Sequence, residues 1–148
     1  MERRTVNLQL KAWQVPLRVS TGAFILNSGL AKFRADEAAA KQAHGFAVGA
    51  YPFLRRLDPG LFVGSLSAGE IALGTALLVP VVPAALVGAA LTAFSGTLLG
   101  LYLRTPGLRQ EGSLRPTDQG VPIAKDAWLL AIGLAFVVDD VRDRLRGR

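Results

Sequence analysis

The chain alternates between long apolar runs and shorter charged segments. Four apolar runs are long enough to cross a bilayer, at residues 13–33, 61–79, 84–103 and 122–138. At 1.5 Å per residue, helices of this length cover about 25 to 30 Å, which matches the hydrocarbon core of a membrane. The runs lack the period-two alternation of a membrane β-barrel. The pattern therefore predicts an all-α, four-transmembrane-helix bundle in which residues 1–148 form a single domain.

The segments between the runs differ in character. Residues 34–60 begin as an alanine-rich charged stretch and continue into aromatic and apolar residues, which predicts an interfacial helical segment between spans one and two. The link VPVVP at 79–83 is so short that spans two and three should form an antiparallel hairpin. Residues 104–121 are predicted to form a polar loop. Four spans place both termini on one side, and the arginine-rich C-terminal tail favours the cytoplasmic side.

Composition supports a membrane protein over a nucleic-acid-binding one. The chain is 51% hydrophobic, with a mean hydropathy of +0.35 and a formal net charge of +6. The basic residues lie in loops and tails rather than on a basic face with interleaved aromatic residues, so we expect them to contact lipid headgroups. The lipid bilayer is the expected partner, and nucleic acid is not expected.

Redox and metal chemistry are limited by what the sequence lacks. There is no cysteine, one histidine and one methionine, which is the initiator. The chain therefore offers no thiol and no usual pair of haem ligands, and we expect no metal site. His44, the single histidine, is predicted to lie in an interfacial loop. Any redox centre would have to be a bound quinone or belong to a partner.

Glu70 is the most informative residue, because it lies near the middle of span two. Its charged form in the bilayer costs several kcal/mol unless it is paired or hydrated, so it should face the bundle interior. If spans one and two are vertical and antiparallel, Arg18 lies about 9 Å from Glu70 along the membrane normal, within the combined reach of the two side chains. Two interpretations stay open: an ion pair that fixes helix register, or a carboxylate that lines a proton, quinone or small-ligand site.

Further polar residues complete the candidate set. Lys125 and Asp126 open span four on the same side as Lys32, and Asn27 is placed to hydrogen-bond across helices. The small-residue pattern GTLLG at 96–100 predicts close helix packing. No catalytic residue is assigned. The residues of a buried polar, ligand or quinone site are predicted to be Arg18, Asn27, Lys32, Glu70, Lys125 and Asp126.

These motifs carry a resemblance to a known family. An arginine early in span one, NSGLAKF at 27–33, SAGEIALG at 67–74 and KDAWLLAIGL at 125–134 together resemble the DoxX family of small four-helix membrane proteins. The resemblance covers most of the chain, although the loop after span one is longer than usual. It implies a multi-pass protein of the bacterial plasma membrane. Some family members are associated with quinone-linked thiosulfate oxidation, and others with sulfurtransferase-like and superoxide-detoxifying partners.

Since the chain has no cysteine, sulfur transfer would require a thiol from a partner. We therefore expect an accessory or anchoring membrane protein that assists a redox or oxidative-stress complex and is not catalytic alone. Membrane or peripheral proteins are the expected partners, with a homo-oligomer as a further option. The alternative is a quinone-binding oxidoreductase subunit in which Glu70 takes the proton while Arg18 or Lys32 orients the carbonyls. A carrier or channel is disfavoured, because no inverted repeat with broken helices is visible.

Overall fold

The computed structural model of the chain describes residues 10–147. Within this range the regular structure is helical, apart from one isolated bridge between Arg109 and Pro116, so the predicted all-α class is confirmed for the described residues. The α-helices are α1 (Gln14–Phe33), α2 (Glu37–Ala50), α3 (Pro59–Leu78), α4 (Ala84–Arg104), α5 (Val121–Ala124) and α6 (Ala127–Arg146). A short 3-10 helix, Pro52–Arg56, lies between α2 and α3.

Local sequence explains where these helices begin and end. Asp36 caps α2 by accepting a 2.8 Å hydrogen bond from the backbone N–H of Ala39, and Asp58 caps α3 in the same way. Pro59 occupies the first turn of α3, where a missing N–H is tolerated. The prolines of VPVVP then separate α3 from α4. The helix boundaries are thus set largely by short-range chemistry.

Three helical stretches are long and apolar enough to cross a membrane, namely α3, α4 and the stretch Val121–Arg146, which contains α5 and α6. This indicates a membrane protein. The helix α1 is not among them, because Arg18, Asn27 and Lys32 interrupt its apolar sequence. Four spans are therefore not confirmed, and a membrane span at α1 remains a prediction. The fourth run also differs from expectation: it begins with the four residues of α5, breaks at 125–126 and continues to Arg146.

The long helices pack as two antiparallel pairs, α1 with α3 and α4 with α6. Small residues allow the close approach within each pair, with Gly74 against the Leu26 backbone and Gly88 against Gly133. Contacts between α3 and α4 are sparse, so the predicted hairpin exists as a connection but not as a closely packed pair. A shared core joins the two pairs and contains Ile25, Leu73, Leu77, Val87, Leu91, Leu129 and Phe136.

The pattern GTLLG does not mediate helix packing within the chain, so that interpretation is wrong for the described residues. A side-chain carbon added to Gly96 would meet no atom within 4 Å, and one added to Gly100 would meet the hydroxyl of Tyr51. The close small-residue contact of α4 lies earlier, at Gly88. The sequence pattern identifies residues that permit close approach, but the facing helix decides which of them are used.

The segment between α1 and α3 is helical as predicted, and α2 packs against α3 and α4. His44 lies in this helix rather than in a loop; its Nε2 is 2.8 Å from the carbonyl oxygen of Leu54, and its ring packs edge-on against Phe62. Tyr51 donates a 2.7 Å hydrogen bond to the carbonyl of Thr97. These contacts fix the segment against the bundle.

A charged cluster closes the opposite end of the molecule. Lys11 Nζ lies 2.8 Å from an Asp139 oxygen and 2.7 Å from an Asp143 oxygen, and Gln14 also donates to Asp139. Hydrogen bonds to these two carboxylates raise the pKa of Lys11. Their stabilising contribution is therefore fully present below the ordinary lysine pKa and is lost as pH rises through the raised one. This cluster ties the start of α1 to α6.

Candidate functional site

The register between α1 and α3 decides which polar groups meet. A side-chain carbon at Gly29 would lie 3.0 Å from Glu70 Cβ, and one at Gly22 would lie 3.0 Å from the Gly74 carbonyl oxygen. Ser67 also donates a 2.8 Å hydrogen bond to the carbonyl of Gly29. Glu70 is therefore level with Gly29, near the C-terminal end of α1.

Glu70 is paired with Lys32. The two charged groups are 3.0 Å apart, and Lys32 also donates a 2.7 Å hydrogen bond to the hydroxyl of Ser28. Glu70 is 3% exposed, so its carboxylate is largely removed from solvent. As predicted, the Glu70 side of α3 faces inward, because Ser67 and Gly74 are buried beside it. The carboxylate of span two is thus compensated by an ammonium group of α1.

The predicted ion pair between Arg18 and Glu70 is wrong. Arg18 donates to the backbone carbonyls of Val79 at 3.3 Å and Val82 at 2.8 Å, and its guanidinium lies 5.8 Å from the ring centre of Phe136. From the observed register, Arg18 lies about 15 Å from Glu70 along the helix axis, beyond the reach of an ion pair. The predicted separation of about 9 Å assumes two vertical, antiparallel spans, whereas the contacts of Gly22 and Gly29 place α1 further along α3.

Arg18 nevertheless has a clear structural role. The last carbonyls of a helix have no partner inside that helix and carry partial negative charge. Arg18, which is 3% exposed, satisfies one of these groups at the end of α3 and one in the turn that leads to α4. It therefore joins α1 to the connection between the two helix pairs.

Lys125 and Asp126 lie at the head of a groove between α1 and α6. The groove has a volume of about 310 Å³. Asp126 is partly buried. Its carboxylate interacts electrostatically with Lys32 and Glu70, which agrees with its predicted position on the same side of the bundle as Lys32. Lys125 Nζ lies 5.6 Å from the ring centre of Phe24. The groove is lined by Ser20, Thr21, Phe24, Lys125, Asp126, Trp128, Leu129 and Ile132.

Asn27 is not part of this arrangement. It is exposed on the far side of α1 from Glu70 and forms no side-chain hydrogen bond within residues 10–147. The predicted hydrogen bond across helices is therefore not formed within the described part of a single chain. The structure brings together Lys32 and Glu70, places Lys125 and Asp126 beside them, and leaves Arg18 and Asn27 elsewhere.

Several groove residues were missed by sequence reasoning. Ser20 and Thr21 donate their hydroxyl protons to backbone carbonyls one turn earlier, which leaves their oxygens available as acceptors. Trp128 is 74% exposed at the groove. Its position near the charged pair was visible in the motif KDAW, but its place in a groove shared with α1 was not. Ser28 does not line the groove, but its hydrogen bond with Lys32 was more predictable, because it lies four residues before Lys32 on the same helix face.

The groove combines polar groups at one end with aromatic and aliphatic walls. Two acidic and two basic side chains lie at or near its head, and the remaining lining is mostly apolar. Such a site suits an amphiphile whose polar head exchanges hydrogen bonds while its hydrocarbon part contacts the walls. Among residues 10–147, no group of three or more histidine, cysteine or acidic side chains could hold a metal ion.

Comparison of the chain with protein-family models, curated proteins and solved structures found no match. The DoxX resemblance therefore remains a prediction from the motifs.

Proposed function

We propose that the chain is a DoxX-type integral membrane accessory protein with four spans, which assists a redox or oxidative-stress complex. The observation that carries the four-span proposal is the packing of α1 along α3, from Gly22 to Gly29. If α3 crosses the bilayer, an antiparallel partner in contact over two turns crosses it too. Both charged residues of α1, Arg18 and Lys32, have partners, which lowers the cost of embedding this helix.

The proposal includes the bacterial plasma membrane as location, with both termini in the cytoplasm. Single cysteines test this arrangement, because the chain has none of its own. Glu111→Cys, in the loop after α4, and Gly147→Cys lie at opposite ends of the bundle. In intact cells an impermeant maleimide should label only Glu111→Cys. Labelling of only Gly147→Cys would invert the orientation, and labelling of both would contradict the four-span arrangement.

The accessory role is tested by what the protein binds in its native membrane. Purification in mild detergent should recover a stoichiometric redox partner that carries a thiol, metal or flavin. A preparation that contains only this chain, from cells grown with and without oxidative stress, would contradict the role. Loss of the partner on substitution of exposed surface residues, with the Glu70–Lys32 pair intact, would locate the contact.

A second candidate is favoured by the charged head of the groove between α1 and α6. In this function the chain binds a quinone, with Lys125 or Lys32 donating to a carbonyl while Asp126 or Glu70 holds a proton. The hydrocarbon chain would lie along Phe24, Leu129 and Ile132. Arg18 has no place in this version, since it contacts the opposite end of α3.

Quinone binding is tested by titrating the purified protein with a short-chain ubiquinone and following tryptophan fluorescence, since Trp128 lines the groove. We expect saturable quenching and an affinity at least about tenfold weaker in Asp126→Asn, because a charge-assisted hydrogen bond contributes roughly 1.5 to 3 kcal/mol. The matched control is Asp140→Asn, which changes an acid on the same helix away from the groove. Equal affinities in both variants, or no saturation, would rule out this candidate.

A further inference from the structure

Asn27 presents an amide on the outer surface of α1 at the depth of the buried ion pair. It lies two residues before Gly29, which contacts Glu70, so the two residues differ in depth by only about 3 Å. Glu70 is itself near the middle of α3, which is one of the apolar membrane-crossing helices. On the proposed four-span arrangement, on which this inference rests, Asn27 therefore lies near the bilayer centre.

An amide at this depth needs hydrogen-bond partners. Lipid tails offer none, and an unsatisfied polar group in hydrocarbon costs free energy. Within residues 10–147, Asn27 forms no side-chain hydrogen bond. Its exposed neighbours on the outer face of α1 are the small residues Ala23 and Ala31, four residues before and after it, and the larger Phe24 and Leu30, three residues before and after it. A second helix could therefore approach the amide closely on the side of the two alanines.

We propose that two copies of the chain associate through the outer face of α1, with their Asn27 amides hydrogen-bonded to each other. Two copies with the same membrane orientation are related by a two-fold axis along the membrane normal. This symmetry makes the two α1 helices parallel and places each residue at the axis opposite itself. Because an amide carries both a donor and an acceptor, each Asn27 satisfies the other.

Other occupants fit this face less well. A purely apolar helix would leave the amide without a partner, and a charged partner would bring an uncompensated charge to the bilayer centre. A second copy carries a neutral group with matching donor and acceptor at the required depth. The heads of both grooves stay accessible, because Lys125 and Asp126 lie at the α6 side.

Disulfide cross-linking in native membranes tests the interface, and the chain's lack of cysteine makes single-cysteine variants unambiguous. Ala23→Cys lies in the proposed interface, and Ala68→Cys is the matched control on the exposed face of α3. Under copper phenanthroline, Ala23→Cys should give a band at twice the 15.7 kDa of the chain, several-fold stronger than Ala68→Cys. In the Ala23→Cys background, Asn27→Leu should weaken the band about fivefold, whereas Asn27→Gln should retain most of it.

Equal yields from the two cysteine positions, or a band unaffected by Asn27→Leu, would overturn the proposal. A cross-link to a protein of different mass would overturn it in favour of another partner. The mass of the purified wild-type protein in detergent gives an independent check, because it should fall from dimer to monomer in Asn27→Leu. Carbonate extraction is performed first: release of the protein from membranes would refute the four-span arrangement itself, whereas retention without cross-linking refutes only the dimer.

Discussion

Replacing Lys32 with alanine should destabilise the protein by about 3 kcal/mol, because it leaves the Glu70 carboxylate buried without its ammonium partner. This value is at the lower end of the range for broken buried pairs, since the Lys32 side chain is 29% exposed and water can approach it. The measurement is thermal unfolding of the purified protein in detergent. For a chain of this size we expect a decrease of roughly 10 °C in Tm.

Two controls separate the buried pair from a general effect of losing a lysine. Lys41→Ala removes an equivalent charge from an exposed pair with Glu37 and should change stability by less than about 0.5 kcal/mol. The double variant Lys32→Met with Glu70→Leu should regain much of the lost stability, because no uncompensated charge remains. If the double variant is no more stable than Lys32→Ala alone, Glu70 does not require Lys32 for its burial.

The second large effect is expected at the contact between α1 and α3. In Gly74→Ala the new methyl group would lie 2.5 Å from the backbone nitrogen of Leu26 and 2.8 Å from its Cα. Backbone atoms cannot rotate away as a side chain does, so the two helices must separate. We expect a loss of about 1 to 3 kcal/mol, measured by the same thermal unfolding.

The same helix provides a matched control for this change. Gly69 lies five residues earlier in α3, and a side-chain carbon there meets no atom within 4 Å. Gly69→Ala should therefore be neutral or stabilising, by up to about 1 kcal/mol, because alanine favours the helical state more than glycine. Equal losses of stability at the two positions would mean that helix propensity or the detergent, rather than the contact with Leu26, governs the effect.

Much of the helical structure follows from the sequence because its causes are local. Long apolar runs and proline positions predict α1, α3 and α4 to within two residues at each end. The inward direction of Glu70 was also predictable, because a carboxylate that faces lipid has a high free-energy cost.

The pairing of Glu70 was not predictable, because it depends on how far two helices slide along each other. That displacement is set by the contacts of Gly22, Gly29 and Gly74, which involve two distant parts of the chain. A shift of about four residues, or roughly 6 Å, separates the assumed register, which puts Arg18 about 9 Å from Glu70, from the observed register, which puts it about 15 Å away. For the same reason the groove was missed, since its walls come from opposite ends of the sequence.

The contacts between the two helix pairs are unevenly distributed along the bundle. At one end, Arg18 fastens α1 to the turn before α4, and Lys11 fastens it to Asp139 of α6. At the other end the groove separates α1 from α6 near Lys125. If one pair rotates against the other, the contacts of Arg18 and Lys11 would hold their end together, and the groove at the Lys125 end would widen. On the proposed membrane arrangement, a hydrophobic molecule that enters the groove from the bilayer would then meet the charged groups at that end first.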